Sequence, residues 1–138
     1  MSALVTAARA YMGAPFHHQG RAAHGMDCAG LLVLAERDCG RELRDVAAYG
    51  RTPWRDGLEA ALVDNYGAPV TGEMLPGDKL LMRFTLEPQH IAIVTDYIGG
   101  GLGVIHTRSD VSHGQQQGRV VEHILDATWL DRIVKVYR

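Results

Sequence analysis

The order of apolar and polar positions divides the chain into a helical first half and a strand-rich second half. Ser2 to Met12 carries Leu4, Val5, Ala8, Tyr11 and Met12 at helical spacing; Ser2 can cap its start, and Gly13 and Pro15 can end it. Ala14 to Met26 is rich in Gly and His and reads as a loop. From Asp27 or Cys28 to about Asp38 the first turns, CAGLLVLA, are apolar on most sides, the mark of a buried central helix, and Gly40 supplies the stop. Gly30 weakens that helix by roughly 1 kcal/mol relative to Ala, which points to close packing against another backbone. Arg41 to Arg55 is irregular, with Pro53 and Trp54. Asp56 to Tyr66 reads as a third helix, with Asp56 and Glu59 at capping-box spacing and Leu58, Ala61 and Leu62 on one face.

The period then changes. Lys79 to Phe84, His90 to Tyr97, Gly103 to Thr107, Arg119 to Ile124 and Ile133 to Tyr137 read as strands. Gly99, Gly100, Gly101 and Gly103 mark a turn between the second and third, and Ser109 to Gly118 is a polar loop. Helices first and strands afterwards predict an α+β domain with an antiparallel sheet.

A length of 138 residues suits one domain, spanning 1–138, with a core that needs no disulfide staples. A net charge of -2 argues against a strongly basic nucleic-acid binder, and no apolar run is long enough for membrane insertion. The start, MSALVTAARAYMG, has no secretory-signal pattern, so the expected place of synthesis is a cytoplasm, without a signal peptide. Cys28 and Cys39 lie at opposite ends of one predicted helix, about 16 Å apart at 1.5 Å per residue, and are expected to be free thiols.

Cys28 is the sharpest chemical feature. A helix start stabilises an anion and lowers a thiol's pKa, so Cys28 is a candidate nucleophile; the plain alternative is a small buried hydrophobe. Cys39, at the opposite dipole end, reads as structural. A nucleophilic thiol wants an imidazole base and a group to orient it. His90 opens the strand HIAIVTDY, whose one face carries Ala92, Val94 and Asp96 and the other Ile91, Ile93 and Tyr97. His106 closes the strand GVIHT. The two histidines share a face if the partner of residue 90 is even-numbered. Taken singly, each could equally be an ordinary surface or core-edge histidine. His17, His18 and His24 surround the approach to Cys28, yet no pair has zinc-site spacing, so neither metal nor cofactor is expected. His113, in the polar loop, and His123, in a late strand, read as solvent-facing.

GAPFHHQGRAAHGMDCAGLLV, then PGDKLLMRF, QHIAIV and GVIHT, together resemble the NlpC/P60 family of cell-wall cysteine peptidases, in particular the branch encoded by tailed phages, prophages and gene transfer agents. The resemblance runs from Tyr11 to the final strand. It implies a papain-like fold, in which a central helix bearing the cysteine packs on a small antiparallel sheet. It implies a catalytic set of Cys28 as nucleophile, His90 as base and His106 as its orienting group. Pro76-Gly77-Asp78 matches the turn entering the sheet. The substrate implied is the peptidoglycan stem peptide, cleaved at an amide bond. Phe16 stands where many members carry tyrosine; it keeps an aromatic wall without the hydroxyl, and His17, His18, Gln19 and Asp27 are further candidate substrate contacts. The branch implies tail hub or tip proteins as partners and a phage or phage-like tail as location. The rival reading is a structural tail-tip or assembly protein on the same fold, with weak or dispensable hydrolysis.

Overall fold

The computed structural model describes residues 2–45, 57–84, 88–107, 110–112 and 115–138. Its centre is helix α2 (Cys28–Asp38), laid on one face of a five-stranded antiparallel sheet. Leu31, Leu32, Val33, Leu34 and Ala35 are all buried, as the all-round apolar pattern predicts. Helix α1 (Ala3–Arg9) packs beside it, capped by the Ser2 hydroxyl, and buries Leu4, Val5 and Ala8. This helix is shorter than expected: it ends at Arg9, so Met12 turns outward instead of continuing the apolar face.

The sheet contains β3 (Lys79–Arg83), β4 (Pro88–Asp96), β5 (Leu102–His106), β8 (Val121–Ile124) and β9 (Ile133–Tyr137), in the order β8-β5-β4-β3-β9. All five predicted strands are present. Period-2 alternation separates two cores. Leu81, Ile91, Ile93, Ile105 and Tyr137 join the helices on one face. Leu80, Met82, Ala92, Val94 and Val104 gather on the other, where Leu125 and Trp129 pack over them. Trp129 comes from α4 (Ala127–Leu130), a short helix capped by Asp126 that the pattern does not announce.

Two segments expected to be loops contain short hairpins: β1 (Arg21–Ala22) with β2 (Gly25–Met26), and β6 (Asp110–Ser112) with β7 (Gln115–Gln117). Strands of two or three residues are too short to show alternation. The third helix, α3 (Leu58–Tyr66), begins at Gly57 in the left-handed region (φ 97°), with no side-chain cap. The expected cap residue, Asp56, lies outside the described residues, as do Pro53, Trp54 and His113; Glu59 instead pairs with Lys135 of β9.

Two polar contacts and one close backbone approach tie these parts together. The Arg9 guanidinium makes a two-point contact with Glu122 of β8, at 2.9 and 2.8 Å, and donates to the Asp96 carbonyl of β4. Asp78, buried to 1% exposure in the Pro76-Gly77-Asp78 turn, accepts from the Leu75 N–H at 2.8 Å and from Arg138 at 2.8 and 2.7 Å. Gly77 in that turn has φ 94° and donates its N–H to the Val94 carbonyl. The third contact is a close approach. A Cβ on Gly30 would stand 2.1 Å from the Gly20 carbonyl oxygen, so α2 reaches the preceding loop only with glycine there.

Gly30→Ala is therefore expected to lower the melting temperature despite Ala's better helix propensity, because backbone must shift. Burial alone would raise the Asp78 pKa, but Arg138, the Leu75 N–H and Lys79 outweigh it and hold the carboxyl below its ordinary value. A depressed folded value gives stability that is present above the unfolded carboxylate value of about 3.9 and is lost as pH falls through the folded one. Asp78→Asn should thus melt several degrees below wild type at neutral pH, and the gap should close in acid; thermal scans against pH check both.

Candidate active site

Cys28 is the first residue of α2, and the chain before it is built to hold that helix start. Asp27 is the N-cap, buried to 3% exposure. One carboxylate oxygen accepts from the Gly30 N–H at 2.8 Å and from Arg21 at 2.9 Å; the other accepts from the Gln19 N–H at 2.9 Å. Arg21 continues to Asp45 at 2.6 Å. Asp27 was expected among the substrate contacts. In the structure its carboxylate caps the helix and fastens the Phe16 to Arg21 loop to it.

In that loop Phe16 is half-buried, with its N–H on the Gly118 carbonyl at 2.8 Å. His17 is exposed, its N–H on the Met26 carbonyl at 3.0 Å and its ring nitrogen Nδ1 donating to the His18 carbonyl. Gln19 takes a left-handed φ of 61°, which turns its N–H toward Asp27. These four residues therefore form one surface turn pinned to the N-terminal side of Cys28.

Cys28 and Cys39 are both free thiols, Cys28 half-buried and Cys39 exposed at the far end of the helix. Burial, and then the neighbouring Asp27 charge, push the Cys28 thiol up to about 12; hydrogen bonding from the backbone N–H groups of Ile91 and Ala29, together with Arg21, acts the other way. The lowering expected at a helix start is present and is outweighed. The unassisted thiol is protonated at neutral pH, so a nucleophile must be made by proton transfer.

The Ile91 N–H that faces the sulfur belongs to the residue after His90. A one-residue bulge directly precedes His90: Met82 pairs with His90 while Arg83 pairs with Pro88. Bulges of this kind re-aim side chains at strand ends. Ile93 pairs with Ile105 and Val94 with Val104, so even-numbered residues of β4 and β5 share a face, and His90 and His106 lie together on it. His90 Nε2 is 2.9 Å from His106 Nδ1, both rings being buried.

The line extends one step further than the sequence suggests. His123, expected to face solvent, lies opposite Val104 on β8 and turns its ring inward. Its Nε2 is 2.8 Å from His106 Nε2, and its Nδ1 is 2.9 Å from the Ile124 carbonyl. Trp129 covers the rings of His106 and His123 at centroid distances of 4.8 and 4.5 Å, and Phe84 stands 5.0 Å from His90. Only the pairing of β8 with β5 could have revealed His123, and no local motif encodes that pairing.

The second half of the arrangement is a direction. A carbonyl only accepts, so His123 Nδ1 carries hydrogen. A neutral His123 then accepts at Nε2, so His106 donates from Nε2 and accepts at Nδ1. His90 donates from Nε2, which leaves its Nδ1 as the nitrogen holding the lone pair. Among the described residues, no group of His, Cys, Asp and Glu side chains converges to hold a metal ion, and none of the helices is long and apolar enough to cross a membrane.

Comparison with solved structures places this architecture. A crystal structure of an NlpC/P60 family protein from Bacillus cereus aligns with 99% of this chain at a TM-score of 0.62 and 19% identity; the chain spans 39% of that protein's length. The NlpC/p60 domain of the peptidoglycan hydrolase SagA aligns with 99% of this chain, and with 96% of its own length, at a TM-score of 0.56 and 22% identity. These likenesses establish the papain-like α+β fold. No curated protein matches. Residues 13–138 match the NlpC/P60 family, a span that holds Cys28, the Pro76-Gly77-Asp78 turn and all three aligned histidines, and the chain accordingly belongs to that family.

Proposed function

We propose that this protein is a cysteine peptidase that cleaves amide bonds in peptidoglycan stem peptides. The observation that carries this reading is the directed line of histidines, which presents His90 Nδ1 as a base on the residue adjoining the N–H that faces the Cys28 sulfur. Family membership and the name of the SagA neighbour, a peptidoglycan hydrolase, support the substrate class.

In the proposed reaction His90 Nδ1 takes the thiol proton as the sulfur attacks the amide carbonyl. The tetrahedral intermediate collapses to a thioester, and His90 returns the proton to the departing amine. Water, deprotonated by His90, then hydrolyses the thioester and restores the thiol. His106 accepts the His90 Nε2–H, holding the ring's tautomer and stabilising the imidazolium that forms in each half-reaction. The Cys28 backbone N–H is a candidate donor to the oxyanion. Phe16, His17, His18 and Gln19 would line the approach, Phe16 offering an apolar wall.

The finer placement, on a phage or phage-like tail beside hub or tip proteins, rests on the resemblance of the strings GAPFHHQGRAAHGMDCAGLLV, PGDKLLMRF, QHIAIV and GVIHT to tail-encoded members. Phe16 in place of the tyrosine hydroxyl favours the second reading, a tail-tip or assembly role with weak hydrolysis. On the first reading, particles bearing Cys28→Ala assemble but breach the wall slowly; on the second, they are unaffected.

The primary test is mass spectrometry of fragments released from purified peptidoglycan. Wild type should release stem-peptide fragments whose masses name the bond, and Cys28→Ala should release none; equal release by both sinks the peptidase reading. A second measurement follows iodoacetamide labelling near neutral pH. His90→Ala should slow labelling of Cys28 by about tenfold or more and leave Cys39 unchanged. Equal Cys28 rates in both proteins would remove His90 as the base.

A further inference from the structure

We propose that His123 is a positioning residue for the His90 base, acting through His106, an assignment that rests on the peptidase reading above. The family resemblance points to His106 as the orienting group and stops there. An imidazole in that position does not by itself have a direction. It can donate from either nitrogen, and only one choice leaves His90 with a lone pair on Nδ1. If His106 instead carried hydrogen on Nδ1, it would donate to His90 Nε2. His90 would then carry its own hydrogen on Nδ1 and could not take a proton from the thiol.

His123 removes that ambiguity. Its Nδ1–H is bound to the Ile124 carbonyl at 2.9 Å, an acceptor that cannot reverse. Its Nε2, 2.8 Å from His106 Nε2, therefore requires hydrogen on that nitrogen. Successive rings stand nearly perpendicular, at 84° and 83°. Trp129 lies against both His106 and His123, and Arg132 stacks on the Trp129 ring at 4.7 Å. This cover packs against the His106 and His123 rings and holds their orientation. Arg9 grips Glu122, the residue before His123, and so holds β8 against the rest of the sheet.

Two substitutions separate positioning from packing. His123→Gln keeps an oxygen acceptor for His106 and an N–H donor for the Ile124 carbonyl. His123→Met keeps bulk and removes both. Expected is a fall in kcat of about tenfold or more for His123→Met, with KM little changed, and recovery to within a few-fold of wild type for His123→Gln. Long-range proton–nitrogen NMR of the histidine rings, at a pH of about 8, above the ordinary imidazole value near 6.5, reads the tautomers directly. Wild type should show hydrogen on Nε2 of His90 and His106 and on Nδ1 of His123; His123→Met should lose that preference, with hydrogen appearing on Nδ1 of His106 in part of the population. Wild-type His106 protonated on Nδ1 overturns the proposal. So does a His123→Met protein that keeps the wild-type tautomers, whatever its rate, or that keeps the wild-type rate. If His123→Met fails a melting check, the wild-type spectrum and the His123→Gln rate still decide: loss of activity in a folded Gln variant counts against the assignment. If wild type releases no stem-peptide fragments, the peptidase reading fails, whereas the relay's direction is still decided by the spectrum.

Discussion

The arrangement depends on how β4, β5 and β8 line up. Ile93 opposite Ile105, and Val104 opposite His123, put three histidines from three strands on one sheet face. Side chains alternate with period two, so a slip of one residue between β4 and β5 would send His106 into the core beneath α2. That slip is opposed from both faces. Ile91, Ile93 and Ile105 are fitted to the helices, and Ala92, Val94 and Val104 to Leu125 and Trp129. Apolar burial of this kind contributes roughly 1.5–3 kcal/mol per large side chain. The hydrophobic pattern thus sets the register of the polar line, and the Arg9 contacts to Glu122 and Asp96 reinforce it.

The thiol is positioned by different means. Its helix is located by a glycine-to-backbone contact at Gly20 and Gly30 and by a buried carboxylate, Asp27, whose partners come from the loop, the helix and Arg21. The same carboxylate works against ionisation of the neighbouring sulfur. Holding the helix start and easing the thiol's proton are competing demands on one residue, and the structure favours the first. On the proposed reading, a base at His90 resolves the conflict, because it makes a standing thiolate unnecessary.

Much of this was legible in the chain. Asp27 and Gly40 bracket α2, and period-2 runs locate all five strands of the sheet. Gly30 in an apolar helix correctly signals a close backbone approach. Whether His90 and His106 share a face reduces to the parity of one pairing, which the structure supplies. The misses share a cause. His123 gains its meaning from a strand ten or more residues away, and VEHI reads as an ordinary surface strand without that neighbour. The two small hairpins are too short to impose a period, and α4 is a single turn that matters because of where it lays Trp129.

The order of these residues along the chain has a consequence for a cell that makes such an enzyme. The sulfur is synthesised first, at residue 28, and the last ring at residue 123, on the outermost strand of the sheet. Until that strand docks, His123 is not in place to set which nitrogen of His106 bears hydrogen. On the proposed reading, a chain still leaving the ribosome is chemically quiet without any inhibitory segment. Its latency is a matter of incomplete folding, and it ends when the sheet closes.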